Sequence, residues 1–214
     1  MRSDGSDMEM YGVLSQVIFK KSTSELIEEG YLVRPYITMI KHTVPNLKCS
    51  YARAYEYITK DESFNLKIAR LAISKAYTEG KQTLILVRRK EHGRAIVRLI
   101  GNDAEYLSGD DPTDHRERVK SEFIKKRFKC LVATNIFGEG IDIPTIDVLI
   151  NARCQKTEIQ TSQGIGRTLR KHEGKDKAEV YDFMIEGQRH LRDHSLERLK
   201  SYRKESAFRI TILE

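Results

Sequence analysis

Short, unbroken apolar runs recur along the chain, with amphipathic stretches between them. Thr83-Leu84-Ile85-Leu86-Val87, Cys130-Leu131-Val132-Ala133 and Val148-Leu149-Ile150 have the continuous hydrophobicity of strands covered on both faces of a parallel sheet. Ala178 to Phe183 reads as a further strand and Tyr36 to Ile40 as another. Asn65 to Tyr77 carries Ile68, Leu71, Ala72 and Ala76 on one stripe with Gly80 beyond its end, which predicts an amphipathic helix and its stop. Glu91 to Ile100, Asp114 to Lys126 and Thr157 to Arg170 follow the same pattern. Strands alternating with helices imply right-handed crossovers and an α/β fold, a doubly wound, mostly parallel sheet with helices on both faces.

The two ends differ from this middle. Gln188 to Lys204 sets Leu191, Ser195, Leu199 and Tyr202 along one stripe among many charges, a surface helix packed by one face, and Phe208 to Leu213 is a short apolar tail. At the front, Val17-Ile18-Phe19, a helix-like Thr23 to Glu29 and then Gly30 suggest a boundary near Gly30.

Composition narrows the class. At 214 residues, 39% hydrophobic and 32% charged, the chain can bury a core and is no disordered polymer. No run reaches the roughly 18 apolar residues of a membrane span, and the polar, acidic Met1 to Met10 is unlike a signal peptide, so a cytoplasmic protein with no membrane partner is expected. A formal charge of +7 favours contact with polyanions. Cys49, Cys130 and Cys154 are widely spaced and form no C-x-x-C pair, and the histidines fall in no metal-ligand spacing, so neither a disulfide framework nor a metal site is expected.

In an open α/β sheet, ligands bind outside the carboxyl ends of the strands. The segments there are unusual. Arg88, Arg89 and Lys90 follow the first strand of this middle part. Thr134-Asn135-Ile136-Phe137-Gly138-Glu139-Gly140-Ile141-Asp142 follows the second, and the third leads to Gln163-Gly164-Ile165-Gly166-Arg167-Thr168-Leu169-Arg170. The three are expected to converge on one edge. Gln163, Arg167 and Arg170 fall at i, i+4 and i+7, one face of a helix aimed at a common cleft or, alternatively, a solvated basic face paired with acids. Gly138 and Gly140 allow close backbone approach, or form a turn that Asp142 caps. The helix bearing Arg116, Arg118 and Lys120 is basic, while Lys125 to Lys129 reads as a charge run facing water at a helix end.

Taken in order, these segments resemble motifs IV, V and VI of the second RecA-like domain of superfamily 2 helicases, and Ser108-Gly109 followed by Arg116 resembles the motif IVa region. The resemblance runs from about Tyr31 to Glu214. It is greatest to the UvsW-like phage DNA helicases and their XPB-type relatives, in Gly166-Arg167-Thr168-Leu169-Arg170-Lys171-His172 and in the Asn65-x-x-Ile68-Ala69-x-Leu71-Ala72 helix. Arg2-Ser3-Asp4-Gly5, Tyr11-Gly12 and Glu29-Gly30-Tyr31-Leu32 resemble the stretch after motif III. The implied organisation is a leading segment, 1–30, following motif III of a missing first RecA-like domain, then a second RecA-like domain of P-loop NTPase type over 31–214.

The same resemblance implies the roles. Arg167 and Arg170 would be arginine fingers, with Gln163 orienting water or phosphate. Gly138, Gly140 and Asp142 would line the nucleotide, Asp142 accepting from ribose or pairing a finger. Arg88, Arg89, Gly109, Arg116, Thr134 and Asn135 would hold the nucleic-acid backbone. No G-x-x-x-x-G-K-[ST] loop or D-E-x-H motif occurs, so ATP with magnesium would be bound mainly by the missing half, and this chain alone is expected to be inactive and to hold no cofactor. The expected partners are single-stranded or branched DNA and the first RecA-like domain, for a monomeric fragment in the cytoplasm, or the host cytoplasm if phage-encoded. Two alternatives stay open: a non-catalytic RecA-like nucleic-acid-binding module and an RNA helicase. The retained Gln163, Arg167 and Arg170 favour the motor.

Overall fold

The computed structural model describes residues 21–46, 48–134, 143, 145–156, 166, 168–172 and 174–214. In chain order these form α1 (Thr23–Glu28), β1 (Arg34–Thr43), α2 (Tyr51–Lys60) and α3 (Glu62–Ile73), which runs into a π-helical turn at Ser74–Thr78. Next come β2 (Thr83–Leu86), α4 (Lys90–Ile100), β3 (Ala104–Leu107), α5 (Thr113–Ile124), β4 (Cys130–Ala133), β5 (Val148–Asn151), β6 (Lys177–Glu186), α6 (Arg189–Arg203) and β7 (Arg209–Leu213). The strands form one seven-stranded sheet in the order β3-β4-β2-β5-β6-β1-β7, and every pair in it is parallel.

Continuous apolar strands need cover on both faces, and the core divides accordingly. Leu84, Leu86, Leu131 and Leu149 point to one side, where Ile27 of α1 and Val119 and Phe123 of α5 pack. Ile85, Val132, Val148 and Ile150 point to the other, under Ile58 of α2, Phe64 and Ile68 of α3 and Ile96 of α4. Helices therefore lie on both faces, as the alternation of elements implied. The α6 helix straddles the two layers, Leu191 in one and Leu199 and Tyr202 in the other.

Several elements depart from the hydrophobic pattern. Strands β1 and β6 pair over ten residues, longer than their apolar runs, because His42, Glu179 and Asp182 interrupt the hydrophobicity without interrupting the ladder. The apolar tail is a seventh strand, laid parallel along β1 from Tyr36–Arg209 to Ile40–Leu213. Two elements, α2 and β3, escaped the pattern: α2 is built on Tyr51, Tyr55 and Tyr57, residues of middling helix propensity, and β3 buries only its first and last residues. The α3 helix starts earlier than its stripe, at the Asp61 cap, whose Oδ1 accepts from the Ser63 and Phe64 N–H groups at 2.9 and 3.2 Å.

Between β6 and α6 the chain turns at Gly187, whose φ of +89° favours glycine and where a Cβ would stand 1.8 Å from the Val44 carbonyl oxygen. Cys130 and Cys154 are buried and Cys49 half-buried, all three free. Among the described residues no helix is long and apolar enough to cross a membrane, and no three His, Cys, Asp or Glu side chains are grouped to hold a metal.

Candidate functional site

The register of the ladder fixes where the site lies. Leu107 pairs with Ala133, Ala133 with Leu86, Leu86 with Asn151 and Asn151 with Asp182, so the last residues of β3, β4, β2 and β5 stand in one row. The chain leaving that row continues the hydrogen bonding by a step: Thr134 N–H donates to Leu107 O at 3.1 Å, Val87 N–H to Ala133 O at 2.9 Å and Ala152 N–H to Leu86 O at 2.9 Å. Thr134, Arg88, Arg89, Ser108 and Gly109 consequently emerge at one carboxyl edge, joined by the segment Ala152 to Lys156.

Aromatic support orders the two arginines. The Arg88 and Arg89 guanidinium carbons lie 5.2 and 5.4 Å from the centroid of the Tyr55 ring, a cation–π arrangement on a ring that α2 buries. Burial pushes the Tyr55 phenol well above its ordinary range, so it stays neutral beneath them. Arg88 is exposed, Arg89 half-buried and Thr134 buried. Below Arg89, Asn65 Nδ2 donates to Thr59 O at 3.1 Å, which leaves Asn65 Oδ1 to accept from His92 Nε2 at 2.8 Å. Burial lowers the His92 ring to about 4, so a neutral imidazole ties α3 to the first turn of α4.

The loop after β3 is closed by its own carboxylate: Ser108 N–H and Oγ both donate to Asp111 Oδ2, at 2.6 and 3.1 Å, while Lys90 at the start of α4 pairs with Asp110. Inside that loop Gly109 has no steric reason to lack a side chain, since a Cβ there would meet nothing within 4 Å. The space above it is open to a ligand. Arg116 lies in the first turn of α5, with Nη2 3.4 Å from Thr113 Oγ1. Farther along α5, Arg118 and Lys120 face Glu122 and Glu117 at 3.7 and 3.6 Å. Lys125 to Lys129 immediately precede β4 at the amino edge, with Lys129 Nζ 3.5 Å from the position of a Gly80 Cβ, so they share no surface with Arg88.

Arg88 and Thr134 share the carboxyl edge, as expected; of the third segment, only Gly166 and residues 168–170 are described. Helical backbone is present at Gly166 and Thr168, but the helix ends before Arg170, which forms an antiparallel bridge with Leu32, and Val33 N–H donates to Leu169 O at 2.8 Å. Leu32 and Val33 lead into β1, so the backbone of Arg170 is at the amino edge, across the strands from Arg88. The Thr168 carbonyl at that helix end is taken up by Lys175, whose Nζ donates to it at 2.6 Å and also to Ile146 O. Asn135, Gly138, Gly140, Asp142, Gln163 and Arg167, and most of the leading segment, lie outside the described residues.

Three groups at this edge were missed by the sequence pattern: Tyr55, Gln155 and the buried pair Asp182–Arg198. Arg198 Nε reaches Asp182 Oδ2 at 2.9 Å and Oδ1 at 3.2 Å, and Nη2 reaches Oδ1 at 3.0 Å. Tyr202 Oη and Asn151 Nδ2 also donate to Asp182 Oδ2, at 2.5 and 3.1 Å. Burial disfavours the Arg198 charge, but Asp182 outweighs it and raises the guanidinium above its ordinary value. A signal existed in the sequence: Arg198 falls seven residues after Leu191 and three after Ser195, inside the stripe that faces the core.

An all-parallel, doubly wound domain with basic and glycine-bearing loops gathered at its carboxyl edge is the arrangement of a ligand-handling α/β domain. Its family is given by comparison: the model of the helicase conserved C-terminal domain matches residues 65–172, and the chain belongs to that family, in the second RecA-like domain of superfamily 2 helicases. The ATP-dependent DNA helicase uvsW of Enterobacteria phage T4 is 29% identical over 187 residues, 83% of this chain and 37% of the relative. The irc3 protein of Schizosaccharomyces pombe, named as a mitochondrial ATP-dependent helicase, is 29% identical over 177 residues, 79% of this chain and 29% of the relative. The chain thus spans about a third of the length of these relatives. The crystal structure of T4 UvsW superposes with a TM-score of 0.70 at 23% identity, covering 85% of this chain and 42% of that one, a likeness of fold.

Proposed function

We propose that this chain is the C-terminal RecA-like half of an ATP-dependent superfamily 2 DNA helicase or translocase. Arg88, Arg89, Gly109, Arg116, Thr134 and Asn135 grip the nucleic-acid backbone. Gly138, Gly140 and Asp142 line the nucleotide, and Gln163, Arg167 and Arg170 act on the phosphates of a magnesium-bound ATP held mainly by a first RecA-like domain. The observation that carries the nucleic-acid half of this assignment is the row across β3, β4, β2 and β5, which delivers Arg88, Gly109 and Thr134 to one edge. Phosphate contacts made there are electrostatic and sequence-tolerant. DNA is the favoured substrate because the relative matched over 83% of the chain is named a DNA helicase. The amino-edge position of Arg170 keeps it out of the DNA-binding set.

Catalytic arginines stabilise charge that moves in the transition state, so truncating them lowers turnover more than affinity. In the complete protein Arg167→Ala and Arg170→Ala should cut ATP turnover severely and leave DNA affinity nearly intact. Arg88→Ala and Thr134→Ala should do the reverse, with Arg88→Ala lowering the slope of log affinity against log salt by about 0.7 to 0.9. Turnover unchanged in Arg167→Ala, with DNA binding weakened as much as by Arg88→Ala, would favour the non-catalytic module instead. Equal or tighter binding of single-stranded RNA would favour an RNA helicase. The isolated chain should show no magnesium-dependent ATP turnover.

A further inference from the structure

Arg88 does not stand alone at the carboxyl edge. Its Nε and Nη1 lie 2.9 and 3.3 Å from the end of the Gln155 side chain. Arginine can only donate, so the group turned towards it is the amide oxygen. The other end of Gln155 is held just as firmly: its backbone carbonyl accepts from Arg198 Nη1 at 2.7 Å. Arg198 also donates from Nη2 to the Phe183 carbonyl at 2.8 Å and is locked on Asp182. Both partners of that ion pair are inaccessible, with side chains 1% and 0% exposed.

We infer that Gln155 is a positioning residue for Arg88: it presents an acceptor from the rigid Asp182–Arg198 lock and fixes the exposed guanidinium in the orientation that meets a nucleic-acid phosphate. This rests on the assignment of Arg88 to the backbone grip. Without Gln155, the long Arg88 side chain would retain the face of Tyr55 and a hydrogen bond with the Tyr51 side chain, and its end would have to be ordered further when the nucleic acid binds, a cost of association that preorganisation removes. The remaining guanidinium N–H groups are left for the incoming oxygens. Charge is compatible with this, because Gln155 offers a dipole where a carboxylate would compete with the phosphate.

The test is a double-mutant cycle on the 214-residue chain, with a fluorescein-labelled single-stranded DNA of mixed sequence titrated at several salt concentrations. Gln155→Leu removes the acceptor at similar size and should weaken binding about three- to tenfold, which is about 0.7 to 1.4 kcal/mol. In the Arg88→Ala background the same substitution should change affinity less than twofold. An undiminished effect in that background would show that Gln155 acts on the DNA by itself, and no effect of Gln155→Leu beside a strong effect of Arg88→Ala would show that Arg88 needs no support. Either result overturns the positioning role while leaving the grip assignment intact. If Arg88→Ala changed neither affinity nor salt slope, the grip assignment would fall, and this inference with it. A second readout needs no DNA. The Arg88 Nε–H resonance in a nitrogen-15 spectrum, identified by its loss in Arg88→Ala, should exchange slowly in the parent chain and broaden into the solvent background in Gln155→Leu; persistence there would overturn the inference even if the variant were destabilised.

Discussion

Strands β2, β4 and β5 are four residues long and buried at every position, whereas β1 and β6 run for ten residues and mix buried with half-exposed positions. The same parallel ladder joins them. On the short flank, side chains other than Asn151 contribute chiefly volume, and the charge sits in the loops beyond the strand ends: Arg88, Arg89 and the loop of Gly109. On the long flank charge enters the core itself, in Asp182 with Arg198 and at the partly buried Glu179 with Lys75 and Lys81. The difference teaches a division of labour. Short apolar strands fix where the loops begin, and the long strands with α6 supply the rigid backing that one of those loops, through Gln155, passes on to Arg88.

The largest expected effect falls on the long flank. Arg198→Met would strand the Asp182 carboxylate among Tyr202, Asn151 and apolar neighbours, and should cost about 3 to 5 kcal/mol in urea unfolding. Adding Asp182→Asn to it should recover much of the loss, since removing both charges removes the stranded one. A cost below about 1 kcal/mol would erase the contrast between the flanks. On the short flank the response should be to volume, Ile85→Val costing about 1 kcal/mol for one methylene lost from a fully buried site.

Acid should separate the two sides by pH window. His92 is lowered to about 4 by burial. The unfolded chain therefore takes up its proton first, and stability is lost as pH falls from about 6.5 through 4, by up to about 3 kcal/mol. Glu179 is held at about 2: burial works against it, but hydrogen bonds from Lys81, Lys75 and Tyr181 outweigh burial. Its contribution is lost only as pH falls from about 4.5 through 2. Unfolding midpoints measured against pH should show the first step vanish in His92→Gln and the second survive there.

A step of the same sign, in an alkaline window, belongs to Lys175. Burial lowers its ammonium to about 8, with Asp147 opposing. The folded chain gives up this proton before the unfolded chain does, so the Lys175 contribution to stability rises with pH between about 8 and 10.4. Lys175→Met should remove that rise and weaken the link between the Ile146 and Thr168 carbonyls, and a parallel pH profile for parent and variant would refute it. Least of all, Lys41→Ala at the outer edge, where Lys41 pairs with the exposed Glu214 at 2.5 Å, should leave the unfolding midpoint unchanged within error.

Hydrophobic continuity by itself determined the parallel sheet, its interior strands and the carboxyl-edge segments, because a strand covered on both faces has no polar side to display. The spacing of glycines, arginines and glutamine was enough to indicate the family. Sequence could also have found Arg198, which sits in the apolar stripe of α6, but a stripe does not say which carboxylate waits opposite. Only the tertiary structure decided that Asp182 does, that the tail closes the sheet as β7, and that α2 brings Tyr55 under two arginines. It also set the Arg170 backbone beside Leu32. In each case the partner is distant in the chain, and the contact exists because the sheet register and the helices packed on the sheet bring the two elements together.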